Sequence, residues 1–422
     1  MKRILIIATA LVLSHAAAWF VGRTFLARSE QAGENALRVD GRAVAPGPES
    51  WSNEFRLSAS ASTYAEAWPS LRMIHPWPEV ACQSFLRDWY RVDPRRTMEV
   101  VGDIAERTQG APVDLYETLD FLSLEKDATT GLRRLYDLTM ETSGWGLHAF
   151  LEADHSHSPH EKLAAAVALP HGVERNACLD SAMDECTLQE IDDRIPEAVA
   201  RHDRGFLREA LAHLSENLRR KGNFDGAVRL LSEHADHAEV GGALGMLVRD
   251  VFGQLPPGEA LEFLRNLPQN LRKQYEDGTV SIGLVDAIHS YAGGYSAYAD
   301  GLLGPVILPM VRGSVQRDSG FDNWARYDGR QGATLRAWAL RIPPEAENID
   351  LFQKAVFSSF LCDPSMAVAW VGTLPPGWHR ELAAAAAART LRWRQRPDEA
   401  AACFDLITDP LVRERAKKDG VR

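Results

Sequence analysis

The chain has 422 residues, of which 45% are hydrophobic and 25% are charged, and its formal net charge is -11. This composition is ordinary for globular proteins, and the length argues against one compact core and for several domains or a repeat array. The acidic balance argues against nucleic acid as a partner, because an acidic surface repels the phosphate backbone. Apolar residues recur at intervals of three and four, so we predict an all-α fold.

Residues 1–22 are predicted to be a signal anchor or a signal peptide. Lys2 and Arg3 precede an apolar run that extends to Gly22, close to the roughly 20 residues needed to span a bilayer. Three alanines before Trp19 would suit cleavage, whereas Trp19 and Phe20 would suit the membrane interface of an uncleaved anchor, which we favour. Both alternatives place the body of the chain outside the cytoplasm, either anchored on the periplasmic side or released there. A buried helix is a third alternative.

Residues 23–62 are rich in Gly, Ser, Pro and charge and lack apolar periodicity, which predicts a flexible linker. Residues 63–205 are predicted to form an N-terminal helical region. In this region Asp93-Pro94 separates two amphipathic stretches that would form a hairpin, because proline disfavours continuation of a helix. Thr187 and Glu190 stand at capping-box spacing, which predicts the start of another helix.

The segment DHSHSPH, residues 154–160, contains three of the thirteen histidines. Ser158, Pro159 and Glu161 suit the first turn of a helix. The serine side chain can accept from free backbone N–H groups at the start of a helix. Proline fits the first turn because the N–H that it lacks would have no partner in the helix, and the glutamate side chain can accept from the backbone N–H of the serine. We therefore predict a capped turn between two helices and expect no cofactor. A metal site is the weaker alternative, because its imidazole ligands would have to be close together and oriented by neighbours. Its candidate ligands are His155, His157 and His160.

The chain has five cysteines. Cys178 and Cys186 flank a short polar stretch, and in an exported chain they could form a disulfide bond. Cys82, Cys362 and Cys403 lie in apolar helical stretches and are predicted to be small core residues.

A repeat is present in residues 206–422. Its marker is a small residue that recurs at an interval of 33, from position 227 to 260 and again from 367 to 400. A large apolar residue follows four positions later in each copy. The small residues are Ala227, Ala260, Ala367 and Ala400, and the large ones are Leu231, Leu264, Val371 and Phe404. A period of this length, made of two short helices, predicts an α-solenoid of helical hairpins.

These copies resemble the tetratricopeptide repeat family. The residues that carry the resemblance in the best copy are Leu211, Leu214, Ser215, Leu218, Gly222, Phe224, Ala227 and Leu231. The family places apolar residues on one face of its first helix, Gly and an aromatic residue at the turn, and a small residue in the second helix. Its first-helix Gly is Ser215 here. The resemblance implies stacked hairpins whose groove binds segments of partner proteins. HEAT-like or irregular hairpins are the alternative.

Residues 290–332 interrupt the repeat and concentrate glycine together with aromatic residues. The aromatic residues of interest are Tyr291, Tyr295, Tyr298, Trp324 and Tyr327. One interpretation is that their rings pack an irregular repeat. The functional interpretation is that Tyr295, Tyr298 and Trp324 are partly exposed at the groove and recognise peptides or sugars, because insertions in solenoids commonly lie on the binding face.

A second candidate binding surface is basic and lies near the C-terminus. Its members are His379, Arg380, Arg389, Arg392, Arg394 and Arg396, of which we single out Arg389 and Arg392. On an acidic chain such a surface could meet an acidic partner, although a solvated helix face is the simpler interpretation.

Several enzyme motifs are missing from the sequence, which has no Gly-x-Ser-x-Gly elbow, phosphate-binding loop or His-Glu-x-x-His. We therefore predict a membrane-tethered, extracytoplasmic helical-repeat scaffold that binds proteins or peptides, and we assign no catalytic residue. The alternatives are an all-α periplasmic hydrolase or glycan-processing enzyme with its site in the solenoid cleft, and a purely structural spacer.

Overall fold

The computed structural model describes residues 60–71, 79–107, 119–142, 146–291, 295–315, 318–327, 331–361 and 363–418. All regular elements in these ranges are helical, which confirms the prediction of an all-α chain. Within the same ranges, no helix is both long and apolar enough to cross a membrane. The predicted signal segment and nearly all of the predicted linker lie outside the described residues.

The described residues form two compact units, and the first contains those up to Leu124 together with Leu138–Trp145. Its helices are α1 (Ala61–Leu71), α2 (Glu79–Val92) and α3 (Pro94–Arg107), followed by a short 3-10 helix at Leu122–Leu124. α2 and α3 pack as the predicted hairpin. Asp93 marks the break by accepting a hydrogen bond from the Arg96 backbone N–H at 3.1 Å. Pro94 takes the first helical position, where a backbone N–H would have no partner in the helix.

The second unit contains Glu125–Asp137 and Gly146–Arg422, so it groups residues 146–205 with the repeats. In α4 (Ala128–Thr142), the residues up to Asp137 belong to the second unit and those from Leu138 to the first. The other helices of the second unit, besides 3-10 turns at Tyr295–Ala297 and Ala346–Asn348, are α5 (Leu147–Glu152), α6 (Pro159–Val167), α7 (Val173–Glu185), α8 (Leu188–Asp192), α9 (Ile195–Arg201), α10 (Arg204–Arg220), α11 (Phe224–Glu233), α12 (Val240–Gln254), α13 (Pro257–Asn266), α14 (Gln269–Glu276), α15 (Leu284–Tyr291), α16 (Ala299–Leu302), α17 (Leu308–Ser314), α18 (Gly320–Tyr327), α19 (Gln331–Ala339), α20 (Ile349–Leu361), α21 (Met366–Thr373), α22 (Trp378–Trp393), α23 (Pro397–Asp405) and α24 (Pro410–Lys418).

Long and short helices alternate in the two stretches where the repeat is clearest. The long helices α10, α12, α20 and α22 are followed by the shorter α11, α13, α21 and α23. α10 contacts both α11 and α12, and α22 contacts both α21 and α23. The four predicted small residues lie one in each short helix, and none is more than 1% exposed. Their burial was predicted and is confirmed. They are Ala227, Ala260, Ala367 and Ala400.

Enlarging one of these alanines is expected to destabilise the second unit. Ala400 in α23 is 1% exposed, so the variant Ala400→Leu has to displace packed neighbours and should lower the free energy of unfolding by about 1–3 kcal/mol. Ala401 is exposed on the same helix, and Ala401→Leu is the matched control, for which little change is expected. Urea denaturation of both variants measures the difference, and equal losses would contradict the packing register.

The described residues of 290–332 include short helices, of which α17 and α18 pack on the earlier helices α14 and α15. Gly313 in α17 lies against α14, and a β-carbon there would clash with the carbonyl oxygen of Tyr275. A β-carbon at Gly320, at the start of α18, would likewise clash with the backbone of Val285 in α15. Only a residue without a side chain allows this approach of two backbones. Gly313 and Gly320 therefore serve close packing of helices.

Candidate functional site

The structure contradicts the prediction that Tyr295, Tyr298 and Trp324 are partly exposed. Tyr295 is 6% exposed, and Tyr298 and Trp324 are each 1% exposed. Tyr295 stacks on Trp324 with the ring centroids 4.6 Å apart, and its hydroxyl donates to the Gly320 carbonyl oxygen at 3.1 Å. The rings are core residues because burial of their large apolar area outweighs the polarity of the segment around them. The side chains of two further candidates lie outside the described residues: Tyr291 and Tyr327.

Two carboxylates that sequence reasoning missed link α15 to α18. Asp318 is 1% exposed and accepts the backbone N–H groups of Val285 and Gly320, each at 2.9 Å. Asp286 in turn accepts the backbone N–H and the hydroxyl of Ser319, each at 2.8 Å. Asp318 thus satisfies free N–H groups at the starts of both α15 and α18, and Asp286 in α15 satisfies the N–H of Ser319, which directly precedes α18.

Asp318, the buried acid of this pair, binds its proton more tightly than an ordinary aspartate does. Burial raises the pKa of Asp318 to about 7, and the negative charge of Asp286 contributes to the rise. A raised pKa is common at functional sites, but structural carboxylates show it too when they are buried. Because Asp318 accepts from backbone N–H groups at two helix starts, we assign it a structural role that depends on pH.

The stability of the folded chain is expected to respond to pH through Asp318. An aspartate in the unfolded chain has a pKa of about 3.9, so between about pH 4 and pH 7 the folded chain holds this proton more tightly. The proton on Asp318 thus stabilises the folded chain. This stabilisation is fully present below the pKa of Asp318 in the unfolded chain and is lost as the pH rises through its pKa in the folded chain. The variant Asp318→Asn carries no titrating group at this position. Its free energy of unfolding, relative to that of the wild type, should therefore increase from about pH 5 to about pH 8. Urea denaturation at both pH values measures this gain, and parallel pH profiles would contradict the assignment.

The histidine segment begins the helix that was predicted for it. Ser158 accepts from the Glu161 backbone N–H at 3.3 Å, and the Glu161 carboxylate accepts from the Ser158 backbone N–H at 2.8 Å. Pro159 occupies the first turn of α6. The capping box predicted between α5 and α6 is therefore confirmed, and so is the second one, formed by Thr187 and Glu190 at the start of α8.

His157 is held by a buried carboxylate. Its Nδ1 donates to Asp154 Oδ2 at 2.8 Å, and the Ser156 hydroxyl donates to the other carboxylate oxygen at 2.7 Å. Burial alone would raise the pKa of Asp154, but the hydrogen bonds from Ser156 and His157 outweigh it and lower that pKa. Asp154 therefore stays ionised and orders the turn. His155 and His160 are exposed, and no group of metal-binding side chains in the described part of the chain could hold an ion.

Cys178 and Cys186 are both free thiols, so the disulfide bond proposed for them is a wrong prediction. Cys178 lies within α7 and Cys186 directly follows its last residue, so a continuous helix separates them. Eight positions on a helix span about 12 Å, whereas the Cα atoms of a disulfide lie within about 7 Å. Burial raises the pKa of both thiols, that of Cys186 to about 11, so both are protonated near neutral pH. Cys82 and Cys403 are buried as predicted, and Cys362 lies outside the described residues.

Two C-terminal arginines lie over aromatic rings and have no carboxylate partner among the described residues. Arg389 in α22 is exposed, and its guanidinium lies 5.1 Å from the ring centroid of Phe357 in α20. Arg392 is half-buried, and its guanidinium lies 4.2 Å from the ring centroid of Phe404 in α23. The rings hold both cations in place without neutralising them.

Two other members of the predicted basic surface, His379 and Arg396, have partners inside the protein. His379 donates from Nε2 to the Ile342 carbonyl oxygen at 3.1 Å. Arg396 donates to both carboxylate oxygens of Glu399, at 2.5 and 2.7 Å. Arg380 is half-buried. The solvent-facing part of the surface is therefore smaller than the sequence suggests.

The end of α22 adds an exposed tryptophan to the free arginines. Trp393 is 62% exposed, and the Arg394 guanidinium lies 4.7 Å from its ring centroid. Arg394 also donates to the Leu361 carbonyl oxygen at 2.6 Å, which fixes its position. Cations are favourable at the negative end of a helix, so these arginines also stabilise α22. We name the following residues the arginine–tryptophan surface: Arg389, Arg392, Trp393 and Arg394.

Two cavities in the second unit are lined by charged groups, of which Arg312, Glu347 and Glu381 already have partners. One, of about 480 Å³, surrounds Arg312, which binds Glu347 at 2.7 Å. The other, of about 660 Å³, contains Glu381, which accepts the backbone N–H groups of Thr408 and Asp409 at 2.8 and 3.2 Å. Pairing and helix capping account for these carboxylates.

Comparison with models of known families, with curated proteins and with solved structures found no match. The resemblance to tetratricopeptide repeats therefore stays a prediction. Function has to be inferred from the helices and side chains of the chain itself.

Proposed function

We propose that this chain is a membrane-tethered, extracytoplasmic helical-repeat scaffold that binds segments of partner proteins. The observation that carries the proposal is a series of neighbouring helices in the second unit. Each helix of the series contacts the next, in the order α7, α10, α12, α15, α18, α20 and α22. Tetratricopeptide-like solenoids are built in this way, with each repeat packed on its neighbours, and their helices line a surface that is free to bind a partner.

Polar contacts between successive helices support a repeating step. Arg219 in α10 pairs with Asp250 in α12, and the two residues are 31 positions apart. Arg394 after α22 donates to the Leu361 carbonyl oxygen at the end of α20, and these residues are 33 positions apart. Both separations are close to the 33-residue interval of the buried alanines. A similar step early and late in the unit is what a solenoid of hairpins requires.

The use of polar groups favours binding over catalysis. Asp318 and Asp154 are buried and satisfy backbone or neighbouring donors, and Glu381 caps a helix. By contrast, Arg389 and Arg392 lie over rings without a carboxylate partner among the described residues. Arginine and aromatic side chains are frequent energetic contributors at protein interfaces. Arg389 and Arg392 are therefore groups of the second unit that stay available for recognition of another protein.

Photo-crosslinking in the native host tests the proposal. A photoreactive residue at Asn323 in α18 or Gln353 in α20, both half-buried on helices of the series, is expected to form adducts with partner proteins. The matched control is Arg229, which is exposed on α11, a helix outside the series, and should form none. Adducts from Arg229 alone, or from no position, would contradict a binding surface formed by the helices of the series.

Fractionation of cells tests the tether. The full chain is expected in the membrane fraction after a carbonate wash, whereas a chain that lacks residues 1–22 should stay in the cytoplasm. The reason is that the apolar run of residues 4–22 is long enough to hold the chain in a bilayer. Recovery of the full-length gene product in the soluble periplasmic fraction would show a cleaved signal peptide and remove the anchor from the proposal.

A further inference from the structure

We propose that the arginine–tryptophan surface binds an acidic segment of a partner protein. Carboxylates of the segment pair with Arg389 and Arg392, and an apolar side chain beside them packs on Trp393. This inference rests on the proposed function, because it names the class of partner for one surface of the scaffold.

The two arginines are held in position before a partner arrives. Phe357 of α20 and Phe404 of α23 each support one guanidinium, so three helices fix the pair. A guanidinium that lies over a ring still has in-plane N–H donors for a carboxylate. Because little side-chain freedom remains to be lost, binding of a carboxylate costs less conformational entropy here than at a mobile arginine.

The local charge is opposite to that of the whole chain, which has 58 acidic and 47 basic residues. Arg396 already binds Glu399 on the neighbouring helix, which removes that carboxylate as a partner for the surface. Arg389, Arg392 and Arg394 therefore form a local positive patch at the end of α22. An acidic segment is repelled by the chain as a whole and attracted at this patch, which determines where it docks.

Trp393 gives the surface an apolar component. Its side chain is one of few large apolar groups exposed in the described ranges, with 62% exposure. Arg394 lies near the ring and is itself tied to the Leu361 carbonyl oxygen, so the remaining ring surface is presented in a fixed orientation. Tryptophan beside arginine is a common combination in the centre of protein interfaces.

A protein segment fits this surface better than a small anion or a nucleic acid. A phosphate ion could satisfy the arginines, but it would leave the Trp393 ring exposed. A nucleic acid would extend its phosphates beyond the arginines over a chain of net charge -11. Carboxylates next to apolar side chains match both the cations and the ring.

An array of synthetic peptides in which Glu, Lys and Leu are permuted tests the proposal on the folded chain. Peptides with Glu next to Leu are expected to bind, and their affinity should fall as salt is raised because the contacts are exposed charge pairs. The double variant Arg389→Gln, Arg392→Gln should weaken binding at least about tenfold, and Trp393→Ala should weaken it by a similar factor. Arg229→Gln removes an exposed arginine from α11 and is the matched control, with unchanged binding expected.

Three outcomes would overturn the inference. They are binding by peptides without Glu, wild-type affinity in the double variant, and complete displacement of the peptide by inorganic phosphate at moderate ionic strength. A lower melting temperature of the double variant with unchanged peptide binding would show that the arginines only stabilise the end of α22. In each case adducts from Asn323 and Gln353 would leave the proposed function in place, whereas their absence would reject the scaffold itself.

Discussion

Replacing Asp203 with alanine is expected to lower the free energy of unfolding by about 3–5 kcal/mol, since it leaves the charge of Arg175 buried without a carboxylate to balance it. Arg175 in α7 is 1% exposed and donates to the two oxygens of Asp203 at 3.0 and 2.5 Å. Asp203 also accepts from the Phe206 backbone N–H at 3.1 Å and so caps α10. One substitution thus removes an ion pair and a helix cap between two helices of the series.

Urea denaturation compares this variant with one that breaks an exposed pair. Glu197 and Arg201 lie 2.6 Å apart with side chains 57% and 67% exposed, so Glu197→Ala should cost only about 0.5 kcal/mol or less. The double variant Arg175→Met, Asp203→Asn removes the buried charge and keeps a capping side chain, so it should recover most of the loss. If Asp203→Ala costs no more than Glu197→Ala, the buried pair is not formed.

Features that depend on a few adjacent residues could be predicted from the sequence. The cap at Ser158 involves Glu161 three positions on, and the helix break at Asp93 involves only its immediate neighbours. The buried alanines could be predicted as well, because close packing of two helices demands a small residue once per repeat. Such signals are local or periodic, so no knowledge of the tertiary structure is needed to find them.

Features that depend on distant partners could not be predicted in the same way. Glycine and tyrosine together suggested an exposed loop, but Gly313 and Gly320 meet the backbones of helices more than thirty positions earlier. Asp318 is buried beside Val285, which lies 33 positions earlier, the interval of the repeat, but the apolar pattern that reveals the repeat does not mark a buried carboxylate. Packing between helices determines which of these residues are buried and which are exposed.

The candidate site shows the same division. The sequence identified Arg389 and Arg392 as basic residues on one helix, but their placement over rings from two other helices is a tertiary feature. The exposure of Trp393 was missed, because a tryptophan in a helical repeat is usually part of the core. Cys178 and Cys186 were paired because the polar residues between them suggested a loop, whereas they continue α7.

Changing Trp324 to alanine is expected to lower the free energy of unfolding by about 3–5 kcal/mol, as for other large aromatic residues removed from a core. Trp324 is 1% exposed, and its ring lies 4.6 Å from that of Tyr295 and 5.7 Å from that of Trp338. The substitution leaves a cavity among rings of the 3-10 turn at Tyr295–Ala297, α18 and α19. Trp324→Phe should cost less, because it keeps the stack on Tyr295 and removes an indole N–H that has no acceptor among the described residues.

Trp393→Ala is the matched control, because this tryptophan is 62% exposed in the same unit and should change stability by no more than about 0.5 kcal/mol. The two variants should therefore separate stability from binding. Melting curves and peptide binding measured on both proteins are expected to show a large loss of stability for Trp324→Ala and a loss of binding alone for Trp393→Ala. An unchanged melting curve for Trp324→Ala would mean that its ring is not in the core, and the interruption would again be a candidate binding surface.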